Sequence, residues 1–409
     1  MGGSQAGQGK ARPLTTGPDQ DNGFKRNERL STAGQTGTPP PPPSRLILFW
    51  KTFRKNSLAV SGLTIFLLFF FVALAGLVLT SGSDPRLDPA QIRLEEKLLP
   101  PLTEADTEAL TEAEQPFLNL YLFGTDDLGR DVFARMLQGA WVSLTVGFVA
   151  VGIAILIGIV LGGLAGYFGT VTISLSACLG VLLLAAVAPV LVFNHGAAGL
   201  LAGLAGLVLV LLPFAHRLWL RARTGSAKHW TPALGISVDT LIMRFVDIML
   251  CFPSFFLILT VIALLPPSIY NIMVVIGLTS WMGAARFVRA EFLSLREQDF
   301  VTAAKALGVS KTRIIFQHML PNAVAPVLVS ATIGIATAIL TEAGLSFLGF
   351  GVPPPQATWG NILSEGKRFI FDAPWLTLIP GLAILIVVLA FNLFGEGLRE
   401  ALNPRLRNL

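Results

Sequence analysis

The feature that most constrains this chain is the recurrence of apolar runs of about 20 residues. A run of that length crosses the ~30 Å hydrocarbon core of a bilayer as an α-helix. Eight are present, at about 57–80, 141–167, 171–193, 198–215, 245–265, 270–290, 323–350 and 374–395. In lipid the backbone finds no water, so each crossing segment must satisfy its own N–H and C=O groups, as a helix does. The expected fold class is therefore all-α, a polytopic helical bundle in the cell membrane. Composition agrees: 53% of the 409 residues are hydrophobic and 13% are charged, about half the charged share of a soluble domain.

Charge placement predicts orientation. Nine Lys/Arg precede the first span, whereas 81–123 carries nine acids and three bases. Lys and Arg concentrate on the cytoplasmic side, so the N-terminus is expected inside and 81–123 outside. The basic stretch with Arg217, Arg221, Arg223 and Lys228, the six Lys/Arg of 286–313, and the tail with Arg399, Arg405 and Arg407 all fall inside if there are eight spans and both termini are cytoplasmic. The net charge of +5 is scattered over loops and does not suggest nucleic-acid binding. Residues 1–44, with the run Pro39–Pro43, have too little apolar surface to fold and read as a disordered cytoplasmic tail, too long and polar for a signal peptide. Next come 45–80 with the first span, an outer loop and entry segment at 81–140, the spans of 141–395 and a cytoplasmic tail at 396–409. Cys178 and Cys251 lie in apolar surroundings and read as small buried residues.

One polar stretch between spans stands apart. In 298–308, Phe300, Ala303, Ala304 and Leu307 recur at helical spacing as one flat apolar stripe, from which Asp299 and Lys305 fall away. Gly308 suits the left-handed turn that ends a helix. Ser310 suits the cap of a second helix over 311–318, and Pro321 the first turn of the next span. Such an element either lies in the lipid interface or seats in a groove of another protein.

The sequence TAAKALG at 302–308, followed by HMLPN at 318–322, resembles the EAA loop of ABC importer permeases, with Thr302 where that family often has Glu. Three further stretches resemble the C-type permeases of dipeptide, oligopeptide and nickel transport: GTDDLGRDVFAR at 124–135, MRFVD at 243–247 leading to Phe252-Pro253, and EAGLSFLGFGVPPP at 342–355 with WGN at 359–361. The resemblance implies a type I importer core of six spans, here with an inserted apolar hairpin at 170–236. It implies that Asp299, Phe300, Thr302, Ala303, Ala304, Leu307, Gly308, His318 and Pro321 form the coupling element that docks on an ATP-binding subunit. It implies a second homologous permease chain, two cytoplasmic ATP-binding subunits carrying ATP and Mg²⁺, and an extracytoplasmic substrate-binding protein delivering peptides or similar small solutes.

Other residues are weighed on their chemistry. Gly124, Asp126, Gly129, Arg130 and Asp131 read as a structured entry turn in which carboxylates cap a helix and pair with Arg130 or Arg135. Arg244 and Asp247 are spaced for an intrahelical pair. Glu342 lies inside an apolar run; it either borders a watery translocation pathway or hydrogen-bonds between helices. The stretch GVSKT at 308–312 lacks the glycine spacing of a phosphate loop, and His195, His216, His229 and His318 are scattered. No cofactor, metal site or catalytic residue is therefore expected in this chain. The rivals are an ion-coupled secondary transporter, which would need repeats and more intramembrane carboxylates, a membrane-embedded enzyme and a scaffold.

Overall fold

A computed structural model describes residues 45–82, 85–106, 116–174 and 235–402. The N-terminal tail and most of the 170–236 insertion, with its two expected spans, lie outside the described residues. The short helix α1, Arg45–Phe53, leads into α2, Ser57–Thr80. Asn56 caps α2 by accepting from the Ala59 N–H. Leu58, Leu68, Phe71 and Val78 of α2 are all exposed, as befits a helix that meets lipid along much of its length.

α3 spans Val132–Phe168, 37 residues. At 1.5 Å per residue it is roughly 55 Å long and outruns the bilayer. Its last half carries Gly158, Gly162 and Gly166 on one face. A Cβ at these positions would lie 2.6 Å from Ala284 Cβ, 2.4 Å from Ala285 O and 2.6 Å from Phe292 Cβ. These glycines therefore let α6, Ile269–Arg296, approach backbone to backbone, the close packing that small residues permit in membranes. After α3, β1–β2 having already formed in the loop before it (Thr103–Glu104 with Leu120–Tyr121), the strands β3 (Thr172–Ser174) and β4 (Gly235–Ser237) pair antiparallel. The chain thus leaves for the insertion and returns at one place.

The expected span 245–265 is not one straight helix. α4, Val238–Cys251, and α5, Ser254–Leu264, meet at 80°. Phe252-Pro253 stands at the break, where proline supplies no N–H and disfavours helical backbone before it. Beyond α6 and the short α7, Asp299–Ala306, helix α8 runs without interruption over Lys311–Phe347. The expected separate helix at 311–318 and fresh start at Pro321 are therefore corrected. A π-helical stretch, Ile314–Met319, precedes Pro321, and its wide turn carries the chain past the proline. Ser310 precedes α8 in extended conformation without a side-chain cap. α9, Trp359–Gly366, and α10, Trp375–Leu402, complete the described bundle; α10 continues well beyond the expected end at 395.

Among the described residues, five helices are long and apolar enough to cross a membrane, or six if α4 and α5 count as one broken span. The chain is thus a mostly helical, multi-pass membrane protein. Its largest buried cluster joins α2, α3, α5, α6, α8, α9 and α10 around Trp359 and Phe391. A second cluster, at the other end, joins α6, α7 and α8.

Candidate functional site

The second cluster positions α7. Asp299 in its first turn and Lys305 in its last suit the helix dipole. At the C-terminus Gly308 holds φ 74 and Val309 N–H donates to Ala304 O at 3.1 Å, a glycine-terminated close. Val301 and Ala304 are buried against Val288, Phe292 and Leu295 of α6 and Ile314, Met319 and Ala323 of α8. The opposite face is open: Phe300 is 37% exposed, Leu307 82% exposed, and Ala303 and Thr302 are exposed too.

This divides the expected stripe. Phe300, Ala303 and Leu307 do share an outward face, but Ala304 faces inward with Val301, a residue the sequence reading passed over. Spacing alone offers two apolar stripes on so short a helix, and only the packing partners choose between them. His318 is half-buried, and its carbonyl accepts from Asn322 Nδ2 at 2.6 Å. Lys305, Lys311 and Arg313 are exposed, so the apolar centre has a basic surround.

The entry motif forms a built charge network at the far end. Gly124 and Gly129 have φ 77 and 73, and a Cβ on Gly129 would lie 1.7 Å from Arg93 O, so the turn demands glycine. Asp126, 1% exposed, accepts backbone N–H bonds from Leu128 and Arg130 at 2.9 Å. Its second oxygen accepts Arg130 Nε at 2.7 Å and Arg135 Nη1 at 2.6 Å. Both arginines also reach Glu365 of α9, at 2.9 and 2.5 Å. Asp126, Asp127 and Glu365 bring carboxylate oxygens within 4.8 Å of one another, but the arginines already claim two of the three, which leaves an ion-pair cluster rather than an open metal site. Asp131 caps α3 through Phe133 N–H at 2.9 Å, and burial pushes its carboxyl up to about 6. Nearby, Tyr121 donates to Glu96; burial first, then that bond, hold the phenol well above its usual range.

Glu342 lies inside α8 with no exposed surface. Ser346 Oγ donates to its Oε1 at 2.7 Å, and the hydroxyls of Ser143 and Thr358 stand beside the carboxylate. Among the described residues, Oε2 has no partner of hydrogen-bond geometry. The carboxylate therefore joins α3, α8 and the start of α9 and is enclosed among them. Arg244 and Asp247 do approach, at 3.6 Å, but Asp247 has a closer partner across the helices in Arg286, at 2.5 Å, and Arg289 grips Asp239 in the same way.

Comparison with known proteins places these features in context. Residues 232–408 match the family described as binding-protein-dependent transport system inner membrane component. Residues 44–101 match the N-terminal TM domain of oligopeptide transport permease C. The dipeptide transport system permease protein of Alkalihalophilus pseudofirmus is 36% identical over 88% of this chain and 90% of its own length. The di/tripeptide transport system permease protein of Pseudomonas aeruginosa is 33% identical over 90% of this chain and 94% of its own. The oligopeptide transport system permease protein of Bacillus subtilis is 30% identical over 87% and 88%. At this identity and coverage, the chain belongs to the inner-membrane permeases of binding-protein-dependent transport systems, in the branch of the dipeptide and oligopeptide permeases.

Proposed function

We propose that this chain is one permease half of an ATP-driven importer of peptides, and that α7 is where an ATP-binding subunit moves it. The observation that carries the reading is the two-sidedness of α7. Val301 and Ala304 bind the helix to α6 and α8, while Phe300 and Leu307 are left in the open on the other face. An exposed apolar stripe on a rigidly held helix is what a helix-in-groove contact uses. A push on α7 would pass to α6 and α8 as one body, because the three share a buried cluster.

The names of the relatives support peptides as cargo. The charge asymmetry supports cytoplasmic placement of both termini and of α7, with 81–131 and α9 outside. We take the insertion at 170–236 to add two spans, giving eight, and 1–44 and the end of the chain to lie in the cytoplasm. ATP and Mg²⁺ belong to the partner subunits, and this chain performs no chemistry. A homologous second permease and an extracytoplasmic binding protein complete the machine.

The test is Leu307→Asp, alone and with Phe300→Asp. Both side chains are exposed, so the variant protein is expected to insert and melt as wild type does. Co-purification of the cognate ATP-binding subunits and ATP-dependent peptide uptake should fall at least tenfold. Normal assembly and uptake in the double variant would overturn the assignment.

A further inference from the structure

The turn between α1 and α2 has two unlike sides. Phe53 is buried with Ala59 of α2 and Ala401 of α10, and Phe49 packs beside them. The other side is open. Trp50 is 50% exposed, and Lys51, Arg54 and Lys55 are exposed too. Arg54 N–H donates to Trp50 O at 3.0 Å, so these two residues stand one helical turn apart on the same side. The Trp50 ring lies against Phe53 with centroids 5.9 Å apart. Among the described residues its indole N–H has no acceptor, and none of the three cations has an ion-pair partner. The carboxylates at this end of α10 are engaged elsewhere: Glu400 accepts from Asn56 Nδ2 at 2.6 Å, and Glu396 pairs with Arg399 at 3.8 Å.

The segments outside the described residues supply little charge to answer these cations. Residues 175–234 and 403–409 contain no acid, and 1–44 contain three acids against five Lys/Arg. Asp84 and the acids of 107–115 belong to the loop at the opposite end of α2. Position names the partner. Extended backbone at Asn56 (φ −88, ψ 102) separates α1 from the 24 residues of α2. At 1.5 Å per residue α2 is roughly 36 Å long, a little more than the ~30 Å hydrocarbon core. The residues just before Ser57 therefore sit at headgroup depth. An indole with an open N–H suits that layer, and Lys/Arg beside a span attract anionic lipid. We propose that Trp50, Lys51, Arg54 and Lys55 bind the headgroups of anionic phospholipids and so fix the start of α2 in the bilayer. The leaflet, the cytoplasmic one, rests on the topology proposed above.

The test puts benzoylphenylalanine in place of Trp50 in the full transporter, held in nanodiscs of equal phosphatidylglycerol and phosphatidylcholine. Irradiation should yield lipid adducts in which phosphatidylglycerol exceeds phosphatidylcholine by about fivefold or more, the size expected of a single Lys or Arg beside an anionic surface. Lys51→Gln, Arg54→Gln and Lys55→Gln together should bring the two adducts to parity and leave the melting temperature unchanged, because all three side chains are exposed. Lys51→Arg with Lys55→Arg should keep the preference. Equal capture of both lipids with the three cations intact would overturn the proposal, as would an adduct with a protein chain in place of lipid. The side is read separately. Lys55→Cys, in a chain with Cys178→Ala and Cys251→Ala, should react with a membrane-impermeant thiol reagent in inverted vesicles and not in right-side-out ones. The reverse pattern would overturn the cytoplasmic leaflet and the topology behind it, and is distinguishable from a failed headgroup contact, which the adducts report.

Discussion

The two ends of the bundle are built on opposite plans. At the α9 end the charged groups of the entry turn are turned inward and paired within the chain. Asp126, Arg130, Arg135 and Glu365 neutralise one another. Ala357 N–H donates to Gln138 at 2.7 Å, Trp359 Nε1 donates to Met136 O at 3.1 Å, and Thr358 and Asn361 close a capping box on α9. α9 is therefore tied to α3 at both of its ends. At the α7 end the cluster around Val301 is apolar, and the surface beyond it is left incomplete, with Phe300, Leu307 and Phe316 exposed. One end holds itself together; the other presents apolar surface that nothing covers among the described residues. On the proposed function, the first end is the firm body and the second the handle through which motion enters.

The contrast breaks most severely at Asp126. Asp126→Ala removes the shared acceptor of two arginines and two backbone N–H groups at a site 1% exposed. Stranding a buried partner charge typically destabilises by about 3–5 kcal/mol, so a large drop in the melting temperature of the detergent-solubilised protein is expected. Asp247→Ala serves as the control. Its pairs with Arg244 and Arg286 are 43–76% exposed and should matter by about 1 kcal/mol or less. Equal losses in the two variants would remove the distinction between a built network and surface pairing.

Asp131 sharpens the same end through pH. Burial raises its carboxyl to about 6, above the ~3.9 of an unfolded chain. A raised carboxyl binds its proton more tightly when folded, so this group favours the folded state most below about pH 4, and that contribution is lost as pH rises to 6. Asparagine caps a helix as well as aspartate does and carries no charge to bury. Asp131→Asn should therefore gain stability relative to wild type between pH 4 and 6, by on the order of 2 kcal/mol at the upper limit. A melting difference independent of pH would show that burial does not govern the group.

How far the sequence reaches is seen in these same residues. The span helices follow from long apolar runs, because lipid leaves the backbone a single local solution. The left-handed Gly308 and the capping Asp131 were also legible, since each depends on neighbours close in the chain. Three things were not. Glu365 as the second acceptor of Arg135 is 230 positions away, and no local pattern announces it. The break at Phe252-Pro253 and the passage through Pro321 are the same residue type with opposite outcomes; the π turn before Pro321 decides the latter, and nothing in the local sequence forecasts that turn. The inward face of α7 depended on where α6 and α8 stand.

That last point gives the finest test, on two adjacent alanines of one helix. Ala304 is 7% exposed and packed among Val301, Phe292 and Ile314; Ala303 is exposed. Ala304→Phe adds a ring to a filled space and should cost about 1–3 kcal/mol. Ala303→Phe points outward and should change stability by no more than about 0.5 kcal/mol. Yet Ala303 lies between Phe300 and Leu307 on the outward stripe, where a ring would hold a partner's groove away, so ATP-driven uptake should fall while the melting curve stays put. Loss of stability without selective loss of coupling at Ala303 would mean that the outward face of α7 is an unfinished piece of core. Loss of coupling without loss of stability would mark it as the surface on which motion is received.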